Sequence, residues 1–192
     1  ALYTQNFTTA TNAYNVAVGR SAGLSVTTGV KNTLIGGLAG DAMTIGFNNI
    51  AIGYDALGTN TASGANVAIG YEALKTYNNT TEASHFNTAV GTQAGKALTT
   101  GIENTLIGGL AGDALTDANR NIAIGRNALT DDTLGSQTVA IGFGSLENQN
   151  FTTATNSLNT AVGYNTGASI TTGQDNTFIG ALTGDATDDA NQ

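Results

Sequence analysis

Asn104-Thr105-Leu106-Ile107-Gly108 is nearly repeated as Asn32-Thr33-Leu34-Ile35-Gly36 and again as Asn176-Thr177-Phe178-Ile179-Gly180. Looser copies, Asn-x-Ala followed by Val or Ile and then Gly, fill the intervals. The Gly closing each copy falls at Gly19, Gly36, Gly53, Gly70, Gly91, Gly108, Gly125, Gly142, Gly163 and Gly180. Three equal short steps are followed by one step longer by four, and the pattern then recurs, so that Gly19 corresponds to Gly91 and Gly163. Residues 6–12 reappear unchanged at 150–156, and residues 36–42 at 108–114, so a four-coil block has been duplicated. A fixed short period is the signature of a stack of equivalent coils. The 192 residues read as one repeat domain, 1–192, cut from a longer array.

Within each coil the period is two, which means strand. In Asn121-Ile122-Ala123-Ile124-Gly125, Ile122 and Ile124 face one way and Ala123 the other. The flanking columns hold only Val, Thr or Ile, residue types that suit a pleated, laterally packed surface. They are expected to point into the coil. The alternate column (Ala17, Leu34, Ala51, Ala68, Ala89, Leu106, Ala123, Ala140, Ala161, Phe178) is also apolar and is expected to meet something outside it. Its bulkiest members, Leu34, Leu106 and Phe178, are thus candidate contacts between chains. The predicted fold is all-β, a parallel β-solenoid or β-roll of 17-residue coils, with every fourth coil lengthened by four. Nine intervals at the strand spacing give a rod roughly 43 Å long. Gly supplies positive-φ corners, and the Asn that opens nine of ten motifs stacks as an amide ladder. The extra residues of each long coil, before Asn15, Asn87 and Asn159, map to one edge of the rod.

Composition narrows the function. Proline and cysteine are absent, charged residues make up 10% and the net charge is -8. Without Pro every backbone NH can serve the ladder, and without Cys there is no disulfide or thiolate site. The acidic balance and six scattered cations argue against nucleic acid as a partner. No apolar run reaches the length of a membrane span, and Ala1 sits mid-repeat with no signal peptide before it.

The Asn-x-Ala-Val/Ile-Gly-x-x-Ala repeats resemble the YadA-like head of trimeric autotransporter adhesins. They are similar also to the Asn-Thr-Ala-Val-Gly arrays of phage and bacterial tail-fibre proteins. The resemblance covers essentially the whole chain. It implies a left-handed roll, three chains packed side by side, and display outside a cell or on a virion. Two departures stand out: the adhesin heads use a shorter repeat, and Ser often follows their Asn where Val, Thr or Ile stands here. The function this implies is a structural, non-enzymatic extracellular fibre or adhesin rod mediating surface attachment. The alternative is a self-assembling extracellular filament subunit with no dedicated receptor. The expected partner is the chain itself, as a homotrimer, with a cell-surface glycan or protein as target.

Catalytic chemistry is not evident. The single His85 has Ala13 and Ser157 as its counterparts in the other long coils, so no repeated base exists. Gly125-Arg126-Asn127 opens no helix and so lacks a phosphate cradle. Asp41, Asp113 and Asp185, each one four-coil block from the next, lie too far from one another to share a calcium ion and read as turn residues. Asp131-Asp132 and Asp188-Asp189 read the same way. No motif calls for a cofactor or metal. Tyr54, Tyr71, Phe143 and Tyr164, each just after a motif Gly, are candidate surface-contact aromatics, with Phe7 and Phe151 in the insertions. Asn6, Asn78 and Asn150 (with Asn79) sit in Asn-x-Thr sequons within the long coils, candidate glycosylation sites on one edge.

Overall fold

The computed structural model describes residues 1–185, so Asp188-Asp189 lie outside the described part. The chain is a parallel β-solenoid of about ten coils, and no helix forms among the described residues. Each motif places three residues in a strand: β1 Val16–Val18, β2 Thr33–Ile35, β3 Ile50–Ile52, β4 Val67–Ile69, β5 Thr88–Val90, β6 Thr105–Ile107 and β7 Ile122–Ile124. After β8 (Gly135–Ser136) come β9 Val139–Ile141, β10 Thr155–Asn156, β11 Thr160–Val162 and β12 Thr177–Ile179. The ten motif strands form one parallel sheet in coil order, with Leu106 beside Ala89 and Ala123. The short β8–β10 pair joins a long coil's extra residues to the coil before it.

Backbone pairing continues past the strands, with Leu110 NH bonding Thr92 O (3.0 Å) and Asn127 NH bonding Gly109 O (3.1 Å). The motif Gly makes this stacking close. At Gly108 φ is +136°, and a Cβ there would collide with the Gly125 carbonyl of the next coil. Other corners are left-handed without glycine: Glu103 (φ 61°), Arg120 (φ 60°) and Leu129 (φ 56°) hold positive φ. Such backbone costs energy for a residue with a side chain. It persists because the hydrogen bonds of neighbouring coils over-determine it. Glycine alone therefore does not make the corners.

The Asn ladder runs through the interior. Asn104 Oδ1 accepts from Asn121 NH (3.0 Å), while Asn104 Nδ2 donates to Asn87 Oδ1 (3.1 Å) and to Ala118 O (2.8 Å). Where Thr138 replaces Asn, Gln149 bridges the gap, donating to Thr138 Oγ1 (3.2 Å) and accepting from Asn159 Nδ2 (2.8 Å).

The faces of the sheet are the reverse of the sequence expectation. Leu34, Ala51, Ala68, Ala89, Leu106, Ala123, Ala140 and Ala161 are fully buried inside the coil, and Phe178 packs against the same core. The Val, Ile and Thr columns face outward. Leu34, Leu106 and Phe178 are consequently core residues and not contacts between chains. The physical reason is a trade of volume along the core. At the corner that follows each motif Gly the chain carries Gly23, Gly40, Leu57 and Leu74, then Gly95, Gly112, Leu129 and Leu146. A Cβ on Gly95 would lie 2.6 Å from Leu106 Cδ1, and one on Gly112 2.9 Å from Leu106 Cδ2. Leu34 fills the space over Gly23 and Gly40 in the same way, and Phe178 that over Gly167 and Gly184. Coils with Leu at the corner carry Ala on the strand, so the thin core stays full throughout.

Candidate interaction surface

The strands expose a continuous strip of β-branched side chains, two columns wide and ten strands long. One column is Val16, Thr33, Ile50, Val67, Thr88, Thr105, Ile122, Val139, Thr160 and Thr177. The other is Val18, Ile35, Ile52, Ile69, Val90, Ile107, Ile124, Ile141, Val162 and Ile179. No charged residue interrupts either. Val18 is 58% exposed and even Ile107, flanked by strands on both sides, is 37% exposed. At strand spacing the strip is roughly 43 Å long and about 10 Å wide, comparable to the largest apolar patches on ordinary monomers.

The column after the motif Gly borders this strip and carries the four candidate aromatics. All four are exposed, and they pair rather than form one stripe. Tyr54 and Tyr71 stack with centroids 5.7 Å apart at 14°, and Phe143 and Tyr164 at 5.5 Å and 14°. The Arg126 guanidinium caps the second stack, 5.7 Å from the Phe143 centroid. Thr92 and Gly109 separate the pairs. Stacking on adjacent coils at nearly the strand spacing holds each ring against its neighbour and leaves all four partly exposed.

The remaining candidates separate by environment. Asn6 is exposed, but Asn78 and Asn150 are half-buried. Asn78 Oδ1 accepts from Thr61 Oγ1 (2.9 Å), and Asn150 Oδ1 from Thr133 Oγ1 (3.1 Å), so both sequon side chains are tied to the preceding coil. His85 is a core residue and not a surface loop residue: it is buried, its Nδ1 is 2.8 Å from the Tyr77 hydroxyl, and burial lowers its pKa. Phe151 is buried too. Asp132 is no turn tip either. Burial raises its carboxyl above the ordinary value while Gln149, Gly135 NH and Phe151 NH all donate to it. Among the described residues no three His, Cys, Asp or Glu converge as metal ligands.

One ionic network stands beside the first aromatic pair. Lys75 Nζ lies 3.0 Å from Asp55 and 2.7 Å from Glu72, and Lys96 Nζ lies 2.9 Å from Glu72. The Lys75 hydrogen bond, then those of Lys96 and Gln93, lower the Glu72 carboxyl to about 2. Sequence reasoning missed this group, although Asp55 and Glu72, and likewise Lys75 and Lys96, stand at coil-related positions. No family model matches the chain, and comparison with curated proteins and with solved structures likewise found no match.

Proposed function

We propose that the chain is a structural, non-enzymatic segment of an extracellular fibre or adhesin rod, assembled side by side with copies of itself through the exposed Val/Ile/Thr strip. The observation that carries this reading is the strip itself. It is mostly Val and Ile, free of charge and as long as the rod, so covering it desolvates no ion. The repeat resemblance adds the number of copies, three, and the left-handed sense of the coil. It also places the assembly on a cell surface or virion. The aromatic pairs bordering the strip supply repeated contacts for a cell-surface glycan or protein, where weak binding at many coils adds up through avidity.

Light scattering tests the assembly. The wild-type chain should show a plateau mass near three times its 19.3 kDa. The double substitution Ile107→Lys and Ile124→Lys should return it to one copy with an unchanged far-ultraviolet circular dichroism spectrum. A wild-type mass of one chain at micromolar concentration would sink the reading. A mass that climbs without plateau would favour the filament subunit instead.

A further inference from the structure

Two glycines in the column that carries the aromatics have no backbone reason to be glycine. Gly37 and Gly109 each stand directly after a motif Gly, one four-coil block apart, and neither holds positive φ. A Cβ on Gly108 would collide with the next coil's backbone, but one on Gly37 would meet only the Tyr54 ring, 3.5 Å from Cδ2 and 3.9 Å from Cε2. One on Gly109 would meet nothing nearer than Thr92 O at 4.0 Å. Glycine costs conformational entropy on folding, and at these two positions it secures neither a turn nor a close approach. What it leaves is space.

At Gly37 that space opens onto a ring. Glu72 NH bonds Tyr54 O (2.9 Å), Asp55 NH bonds Gly37 O (3.0 Å) and Leu38 NH bonds Arg20 O (2.9 Å), so Arg20, Gly37, Tyr54 and Tyr71 stand in register on successive coils. Tyr71 covers one face of Tyr54. Thr92 follows Tyr71, Arg126 covers Phe143, and Ala181 follows Tyr164. Of these four rings only Tyr54 has a glycine as its outer neighbour. Arg20 is exposed one coil beyond Gly37, roughly 10 Å from the Tyr54 position at strand spacing. That interval admits one flat ring, at about the 5.7 Å separation of the Tyr54–Tyr71 stack.

Charge is segregated in the same column. On a chain of net charge -8 it contains Arg20 and Arg126 and no acid. Among the described residues neither arginine has a carboxylate ion-pair partner, whereas Asp55 and Glu72 in the adjoining column are held by Lys75 and Lys96. We propose that the recess at Gly37 seats an acidic sugar ring of a glycan, its C–H face on Tyr54 and its carboxylate on Arg20. This names the class of glycan for the surface contact proposed above and rests on that reading. The negative face of the tyrosine ring attracts polarised C–H bonds, and guanidinium pairs with carboxylate through two parallel hydrogen bonds. A neutral sugar has the ring alone. At Gly109 Arg126 takes the place of Tyr54, so the second block keeps the space without the ring.

Calorimetric titration of the whole chain with oligogalacturonate, beside its carboxyl-reduced neutral form, tests this. The wild type should bind the acidic oligomer saturably and roughly tenfold more tightly than the neutral one. Gly37→Thr fills the recess with the residue that already follows Tyr71 as Thr92. It should weaken binding by roughly tenfold or more, with melting temperature and light-scattering mass unchanged. Arg20→Gln should reduce the acidic oligomer to the affinity of the neutral one, and Tyr54→Ala should weaken both. Lys31→Gln, the same loss of charge at the other end of a strand, should leave binding as it was. Equal affinity for the two oligomers overturns the acidic assignment and keeps the glycan contact, whereas no saturable binding of either overturns both. A Gly37→Thr chain that binds as the wild type does, or that changes mass because the recess is a seam between copies, also overturns the site.

Discussion

Leu106 fills volume that two glycines leave empty, and its worth can be measured. Leu106→Ala would open a cavity under Gly95 and Gly112 and should cost about 2–5 kcal/mol in urea denaturation. Gly95→Leu alone should also destabilise, since its Cβ would already stand 2.6 Å from Leu106 Cδ1. Combined with Leu106→Ala, however, Gly95→Leu should recover part of the loss, because Leu74 holds the same backbone at φ 49° one coil earlier. Strict additivity of the two losses would contradict the volume trade. The same trade shows what was legible at this scale. A period of two announces alternation but not which side is inside. Val and Ile looked like core by type, and Ala looked too small to fill one. The deciding signal was present in the sequence all the same: Leu34, Leu106 and Phe178 occur only in coils whose corner residue is Gly, as facing core columns require.

At the scale of the coil, the amide ladder replaces what a thick core would otherwise provide. Asn104→Ala would strip partners from Asn121 NH, Asn87 Oδ1 and Ala118 O, all within the buried interior. It should cost about 2–3 kcal/mol, read from the shift in urea midpoint at constant slope. An unchanged midpoint would mean that the ladder is ornamental. This element was readable from the sequence because Asn recurs coil after coil at the motif's first position, whatever the coil's other contents. The bridge at Thr138 was not readable, since Gln149 reaches the gap from a different part of its coil. The non-glycine corners were hidden for a related reason: residue type alone excludes neither Glu103 nor Leu129 from left-handed backbone, and only the stacked neighbours hold them there.

For the molecule as a whole, burial of titrating groups sets the response to acid. His85 has a folded pKa below its ordinary 6.5. The unfolded chain therefore takes up a proton that the folded chain resists, and stability falls as pH drops below that ordinary value. Asp41, Asp113 and Asp132 have the opposite sign, since burial raises their carboxyls above 3.8. They bind the proton more readily when folded and add stability as pH falls through their raised values. Comparing wild type with His85→Gln cancels the carboxyl contributions. The wild type's melting temperature relative to that variant should therefore decline between about pH 7.5 and pH 5.5. A constant difference across that range would show that His85 does not titrate on unfolding. The architecture and period were open to reading from spacing alone, because each coil makes the same contacts as the last. The ionic cluster was not, because it rests on how Lys75 and Lys96 reach across coils to Asp55 and Glu72.

The alternation of Gly, Gly, Leu and Leu at the corners also governs how such a rod can change its length. Excising the coil before a strand leucine would set a leucine corner beside that leucine, and excising the strand-leucine coil itself would leave a glycine corner with nothing over it. Excising four returns every side chain to a matching neighbour. The solenoid thus has a graduation, one four-coil block in sequence and about 19 Å along the axis. Lineages that lengthen or shorten it by gene duplication or loss would move in whole steps of that unit.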